Sequence, residues 1–182
     1  GSPAVVAQLG FAAALALGDT MAPRLARPER LRYKWPNDVL VDGRKIAGIL
    51  LESAAGRDGV DWLVAGIGVN IASHPDGTET PATSLAALGA EAEVETVLAA
   101  LLPALHAWVG RWEREGFEPL RWAWLERAEG LGHAIGVRLE RESFTGRFVD
   151  LDRDGALLVE TEAGPRRIAA GEVFPAAASY VA

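Results

Sequence analysis

The 182-residue sequence has no cysteine, one methionine, two tyrosines and only three histidines. Without thiols it can form no disulfide, no cysteine nucleophile and no thiolate metal site. His74, His106 and His133 lie too far apart to make a ligand pair of the HxxxH kind, so each is expected to serve structure or to face solvent. Long apolar runs are missing too. The longest, Phe11 to Leu17, falls well short of the roughly 20 residues that span a bilayer, and it lacks the flanks of a secretory signal. Positive charge is scarce: 18 Lys and Arg against 25 Asp and Glu give a net charge of −7, the reverse of the basic face of a nucleic-acid module. These absences predict a cytoplasmic chain that contacts neither membrane nor nucleic acid. Apolar residues make up 49% of it, enough for a core, and the length suits one domain with a small appendage.

Periodicity supplies the elements. Val5 to Met21 is rich in alanine and leucine and ends before Pro23; being apolar nearly all round, it reads as a buried helix covering a sheet. Leu31 to Trp35 alternates, with Leu31, Tyr33 and Trp35 on one face and Arg32 and Lys34 on the other, the pattern of a half-buried strand. Val39-Leu40-Val41 and Lys45 to Glu52 flank Asp42-Gly43, the dipeptide favoured in two-residue type I′ hairpin turns. Trp62 to Val69 reads as a further strand and Ser73 to Pro81 as a loop. Glu91 to Glu115 carries Val94, Leu98, Leu101, Leu105, Trp108 and Trp112 at helical steps, with Pro103 as an interruption, and Glu118 to Glu129 reads as a shorter helix. Trp122 and Trp124 on it are expected to pack in a core or an interface. After Gly132 short strand-like runs are separated by Asp154-Gly155 and Gly164-Pro165, which predicts a small antiparallel barrel beginning near Leu131.

Chemistry concentrates in Lys34-Trp35-Pro36-Asn37-Asp38 and in Gly43-Arg44-Lys45-Ile46-Ala47-Gly48-Ile49-Leu50. Pro36 stops one strand and Lys45 opens the return strand of a tight hairpin, so two ammonium groups, an amide and a carboxylate converge at one end of a sheet. Such a group suits an anionic ligand that also brings a metal ion. Lys34 and Lys45 can neutralise phosphate or carboxylate oxygens, Asp38 can hold Mg²⁺ directly or through water, and Gly48 leaves the backbone open to close approach. Residue types alone favour a plainer reading, a surface hairpin with solvated charges.

The order of the residues adds to that. KWPND followed by DGRKIAGIL and an acidic residue resembles the central signature of the biotin–protein ligases. Gly66-Ile67-Gly68-Val69-Asn70, Ala82-Thr83-Ser84-Leu85 and Gly171-Glu172-Val173 resemble later motifs of that family, in the same order. The likeness covers essentially the whole chain. It implies an α+β fold, with a mixed or antiparallel sheet and packed helices of the class II synthetase-like type over residues 1–130, followed by an SH3-like barrel over 131–182. It implies ATP and Mg²⁺ as cofactors, biotin as substrate, and a biotin carboxyl carrier protein or domain as partner. Lys45 and Asp38 match catalytic positions, Asp38 also as the metal ligand. Lys34, Trp35, Asn37, Gly48, Ile49, Leu50, Gly66, Gly68 and Asn70 match positions around the biotin and nucleotide.

One departure stands out. The family carries a strand and a Gly/Arg-rich loop of the GRGRxGR type ahead of the first helix, whereas this sequence starts at Gly1-Ser2-Pro3. It therefore reads as a partial catalytic domain, a poor ligase by itself, whose unpaired sheet edge would recruit a partner chain or a second copy. Lipoate–protein ligases and octanoyl transferases share the implied fold and compete for substrate identity, although the Trp and Pro of KWPND favour biotin. A non-catalytic module that docks carrier domains is the competing reading of a different class.

Overall fold

Asp42 and Gly43 both adopt positive φ, 49° and 71°, as a type I′ turn requires. From that turn the first sheet is built. In this computed structural model, which describes Val5, residues 7–57 and residues 59–175, strands β1 (Leu31–Lys34), β2 (Asp38–Val41), β3 (Arg44–Gly56) and β4 (Gly59–Val69) follow one another as an antiparallel sheet in the order β1-β2-β3-β4. Leu31, Tyr33 and Trp35 are buried while Arg32 and Lys34 are half-buried, so the alternation in the sequence does report the inward face.

Helix α1 (Leu9–Met21) lies against this face, with every residue from Phe11 to Gly18 buried. The opening residues, Gly1 to Pro3 among them, lie outside the described residues. A helix that is apolar on all sides needs cover on all sides; α2 (Val94–Glu115), α3 (Glu118–Leu125) and the sheet provide it. Gly18 is required by packing, since a Cβ there would stand 2.0 Å from the Tyr33 hydroxyl. Tyr33 itself stacks on Trp124, which meets Phe11 edge-on.

Four expectations need correction. Val94 and Leu98 are not part of the inward stripe of α2; with Leu102 they form an exposed row, because Val97 and Leu101, one row round the helix, take the buried positions. α2 also runs unbroken through Pro103. Trp122 is 58% exposed whereas Trp124 is 1% exposed: Leu120, Arg121, Trp124 and Leu125 make the buried side of α3, and residue 122 points away from it. Finally, Gly164-Pro165 does not separate strands but begins one, β8 (Gly164–Ile168). β8 is an edge strand, where proline's missing N–H breaks no ladder.

The second sheet contains β5 (Ala134–Arg138), β6 (Ser143–Leu151), β7 (Leu157–Thr161), β8 and β9 (Glu172–Pro175), all antiparallel in the order β8-β7-β6-β5-β9. It wraps around Val137, Phe148, Leu151, Leu157 and Val159 as a small SH3-like barrel. Polar anchors fasten it to the first sheet and its helices. The buried Arg121 donates from Nε to the Leu151 carbonyl (2.7 Å) and pairs with Asp150. Trp35 Nε1 donates to the Gly155 carbonyl at 3.1 Å, and Gln8 to that of Arg153 at 3.0 Å. No helix among the described residues is long and apolar enough to cross a membrane.

Candidate active site between the sheet and the barrel

Lys45 owes its direction to a backbone irregularity. Val39 pairs with Ala47, but the next residue, Leu40, pairs with Lys45, leaving Ile46 as an extra residue in β3. Such a bulge reverses the face on which the following side chains point. Ile46 and Ala47 are both buried, and Lys45, which strict alternation would put on the core side with Ala47 and Ile49, shares the open side with Gly48. A Cβ on Gly48 would lie 3.0 Å from Lys45 Cε and Nζ. The space that glycine leaves is thus the bed of the lysine side chain, rather than an open approach for a ligand.

Backbone contacts hold the bulge. The Lys45 N–H donates to the Pro81 carbonyl (2.7 Å), and its carbonyl accepts from the Thr83 N–H (2.9 Å). Asn70 Nδ2 bridges the carbonyls of Lys45 (3.3 Å) and Thr83 (2.9 Å). Asn37 clips the same strand at Ile49: its Nδ2 donates to the Ile49 carbonyl (2.7 Å), and the Ile49 N–H returns a bond to the Asn37 carbonyl (2.9 Å). Both asparagines commit their amide N–H groups to shaping the hairpin.

Two adjoining cavities open on this hairpin. The larger, about 850 Å³, is lined by Lys34, Trp35, Asn37, Asp38, Lys45, Gly48, Gly68 and Asn70, closed on one side by Glu79 and Thr80 and on another by Glu172 and Phe174 of the barrel. The smaller, about 490 Å³, is lined by Asn37, Lys45, Gly48, Ile49, Leu50, Gly66, Ile67 and Gly68. All eleven residues singled out in the sequence therefore border one cavity or the other, and Lys45 stands where the two meet. They differ in what they present. Trp35 and Ile49 are buried and Leu50 is 61% exposed, while Gly66 and Gly68 contribute strand backbone.

The Lys45 ammonium lies 2.5 Å from Asp38 Oδ1. That oxygen is buried and, despite its proximity to the ammonium, has no aligned hydrogen bond. Asp38 is mostly enclosed, whereas the Lys45 side chain keeps 39% of its surface exposed, so the cation is held in place and still open to an incoming anion. Lys34 bonds Thr80 Oγ1 at 3.0 Å and lies over the Phe174 ring. Burial lowers its pKa below the usual lysine value, and Lys45 adds to that, against an upward pull from Asp38. Nothing in the sequence pattern points to Glu79, Thr80, Arg138 or Phe174 as site residues. Glu79 and Arg138 meet across 59 positions of chain, and no local pattern marks such a pair.

An antiparallel sheet backed by helices, with a barrel against one end and a cation between two cavities, suits proteins that bring two ligands together at one charge. Comparison with known proteins makes the class specific. The family model described as "Biotin/lipoate A/B protein ligase family" matches residues 3–126, and that described as "Biotin protein ligase C terminal domain" matches residues 130–174. A biotin–[acetyl-CoA-carboxylase] ligase of Paracoccus denitrificans is 41% identical over 180 residues, covering 96% of this chain and 75% of the relative. One from Mycobacterium tuberculosis is 34% identical, covering 91% of this chain and 61% of the relative. Among solved structures, the biotin protein ligase from Aquifex aeolicus in complex with biotin and ATP superposes with a TM-score of 0.76 at 25% identity, covering 92% of this chain and 70% of that one. The chain belongs to the biotin protein ligase family.

Proposed function

We propose that the protein is an ATP-dependent biotin–protein ligase, and that the position of Lys45 between the two cavities is the observation that carries this reading. In the first step a biotin carboxylate oxygen attacks the α-phosphorus of ATP, the bond to the β-phosphate bridging oxygen breaks, and biotinyl-5′-AMP and pyrophosphate result. Two anions must meet, which demands fixed positive charge at the point of contact. A nucleotide in the larger cavity and biotin in the smaller would bring phosphate and carboxylate together at Lys45. In the second step a carrier lysine amine attacks the acyl carbon, the bond to the phosphate oxygen breaks, AMP departs and the amine's proton passes to solvent. No histidine borders either cavity, so the chain contributes orientation rather than a dedicated imidazole base.

Mg²⁺ fits these residues as an ion carried in on phosphates. Among the described residues no group of three or more His, Cys, Asp or Glu could cage a metal, but Asp38 offers a buried carboxylate oxygen with only the Lys45 ammonium against it. One carboxylate plus substrate phosphates is a usual Mg²⁺ environment. Asp38 would hold the ion directly or through water, and the ion would supply charge neutralisation on the phosphates.

In this reading the unit ending near residue 130 performs adenylation, the barrel from about 131 walls the nucleotide side, the reaction belongs to the cytoplasm with its ATP, and the partner is a biotin carboxyl carrier protein. Incubating the full-length protein with biotin, ATP and such a carrier domain should add one biotinyl group to one carrier lysine by mass spectrometry. A carrier left unmodified, or one modified only when lipoate replaces biotin, would reject the proposal.

Lys34 gives a pH signature. Its burial favours the neutral amine, so its charge is lost at a lower pH than that of an exposed lysine. A charged Lys34 favours nucleotide phosphates, so ATP affinity should fall as pH rises through this depressed pKa. Lys34→Arg, which stays protonated, should remove that alkaline limb. An unchanged limb in the arginine variant would assign the titration to another group.

A further inference from the structure

The wall formed by Glu79 and Thr80 comes from a loop that has no regular secondary structure of its own. The barrel grips it at Glu79, and Lys34 of the first sheet holds the next residue, Thr80. Arg138 on β5 makes two parallel bonds to Glu79, Nη1 to Oε1 at 2.6 Å and Nη2 to Oε2 at 2.8 Å, while its Nε donates to Glu172 Oε2 at 2.9 Å. The same guanidinium lies over the Phe174 ring, 4.6 Å from its centroid, and Lys34 lies over that ring at 5.0 Å while bonding Thr80. Glu79 and Glu172, which would repel each other, are bridged by one cation. A single exposed ion pair contributes little, but a two-pronged arginine fixes direction as well as distance, and here it joins a loop, a barrel strand and the ring beneath Lys34.

We propose that Arg138 is a positioning residue for the nucleotide cleft. Through Glu79 it holds the 73–81 loop against the barrel, so the loop keeps its place as a wall and Thr80 keeps its place beside Lys34. Arg138 touches no substrate in this role; it acts through Glu79 and Phe174. The barrel thereby contributes to ATP affinity across a contact between the two sheets. This rests on the reading of the larger cavity as the nucleotide site.

The test is a double-mutant cycle in the full-length protein, read by direct titration of ATP and by steady-state pyrophosphate release. Arg138→Ala and Glu79→Ala should each weaken ATP binding roughly three- to fivefold, as expected for losing a contact of this kind, with kcat and the KM for biotin nearly unchanged. The double variant should be no weaker than either single one, because one latch is removed once. Arg138→Lys keeps the charge but loses the fork and should fall between. Arg147→Ala, which breaks the comparably exposed Arg147–Glu160 pair on the barrel, should leave ATP binding as it is. Additive losses in the double variant, an ATP affinity untouched by Arg138→Ala, or an equal loss in Arg147→Ala would each overturn the proposal. Because ATP is titrated directly, these outcomes are distinct from failure of the ligase reading, which appears as ATP binding without biotin-dependent pyrophosphate release.

Discussion

Replacing Lys45 by alanine in the full-length protein should lower biotin-dependent pyrophosphate release by about a hundredfold or more. Removing a single preorganised charge or donor aimed at a developing oxyanion typically costs about 3 kcal/mol of transition-state stabilisation. In the proposed mechanism Lys45 is such a group: the bulge at Ile46 turns it to the open side, Asp38 holds its ammonium at 2.5 Å, and both cavities reach it. Alanine also leaves the enclosed Asp38 carboxylate without its cation, so Lys45→Arg is the cleaner probe of chemistry. Arginine keeps the positive charge but spreads it over a planar fork that extends beyond the position of the lysine Nζ, so it cannot present the same compact point charge to the phosphate. Lys45→Arg should therefore remain folded, with a urea midpoint close to wild type, and still lose most of its activity. A fully active arginine variant would mean that charge alone suffices there; a fully active alanine variant would remove Lys45 from the reaction.

The second large effect concerns stability. Trp35→Ala should cost about 3–5 kcal/mol, the usual range for deleting a buried aromatic side chain, out of a total that for most domains is only about 5–15 kcal/mol. Trp35 is 3% exposed, and its Nε1 is a hydrogen-bonding link from the first sheet to the barrel at Gly155. Trp35→Phe keeps much of the packing and removes that donor from the Gly155 carbonyl, so a smaller loss of about 1–3 kcal/mol is expected. Urea denaturation of both variants gives the ordering. Wild-type stability in Trp35→Phe would show that the indole N–H and the larger ring contribute nothing at this contact.

Trp35 also marks the limit of what the sequence discloses. Its burial was legible, because Leu31, Tyr33 and Trp35 alternate with Arg32 and Lys34. Its partner was not, since Gly155 lies 120 positions away in a turn whose only local mark is Asp154-Gly155. The hairpin was legible for the same reason as the strand: Asp42-Gly43 states its backbone conformation in two residues. The convergence of Lys34, Asn37, Asp38 and Lys45 followed from that hairpin. The bulge that aims Lys45 did not, because Ile46 and Ala47 look like any adjacent apolar pair until the register with β2 is seen. Asn37 and Asn70 were singled out by family resemblance, while their work as clips on backbone carbonyls depends on where those carbonyls end up. Helix α2 misled in its first two turns: Val94 and Leu98 fit a helical stripe, but periodicity cannot tell which of two adjacent apolar rows the rest of the chain covers.

The most direct test of the central claim is exchange of labelled pyrophosphate into ATP by the full-length protein, run with biotin, lipoate or octanoate as the sole carboxylic acid. Reversible adenylation of biotin predicts exchange that requires biotin, is absent with the other two acids, and disappears in Lys45→Ala. Exchange supported by lipoate or octanoate but not by biotin, or exchange that persists without Lys45, would contradict the account.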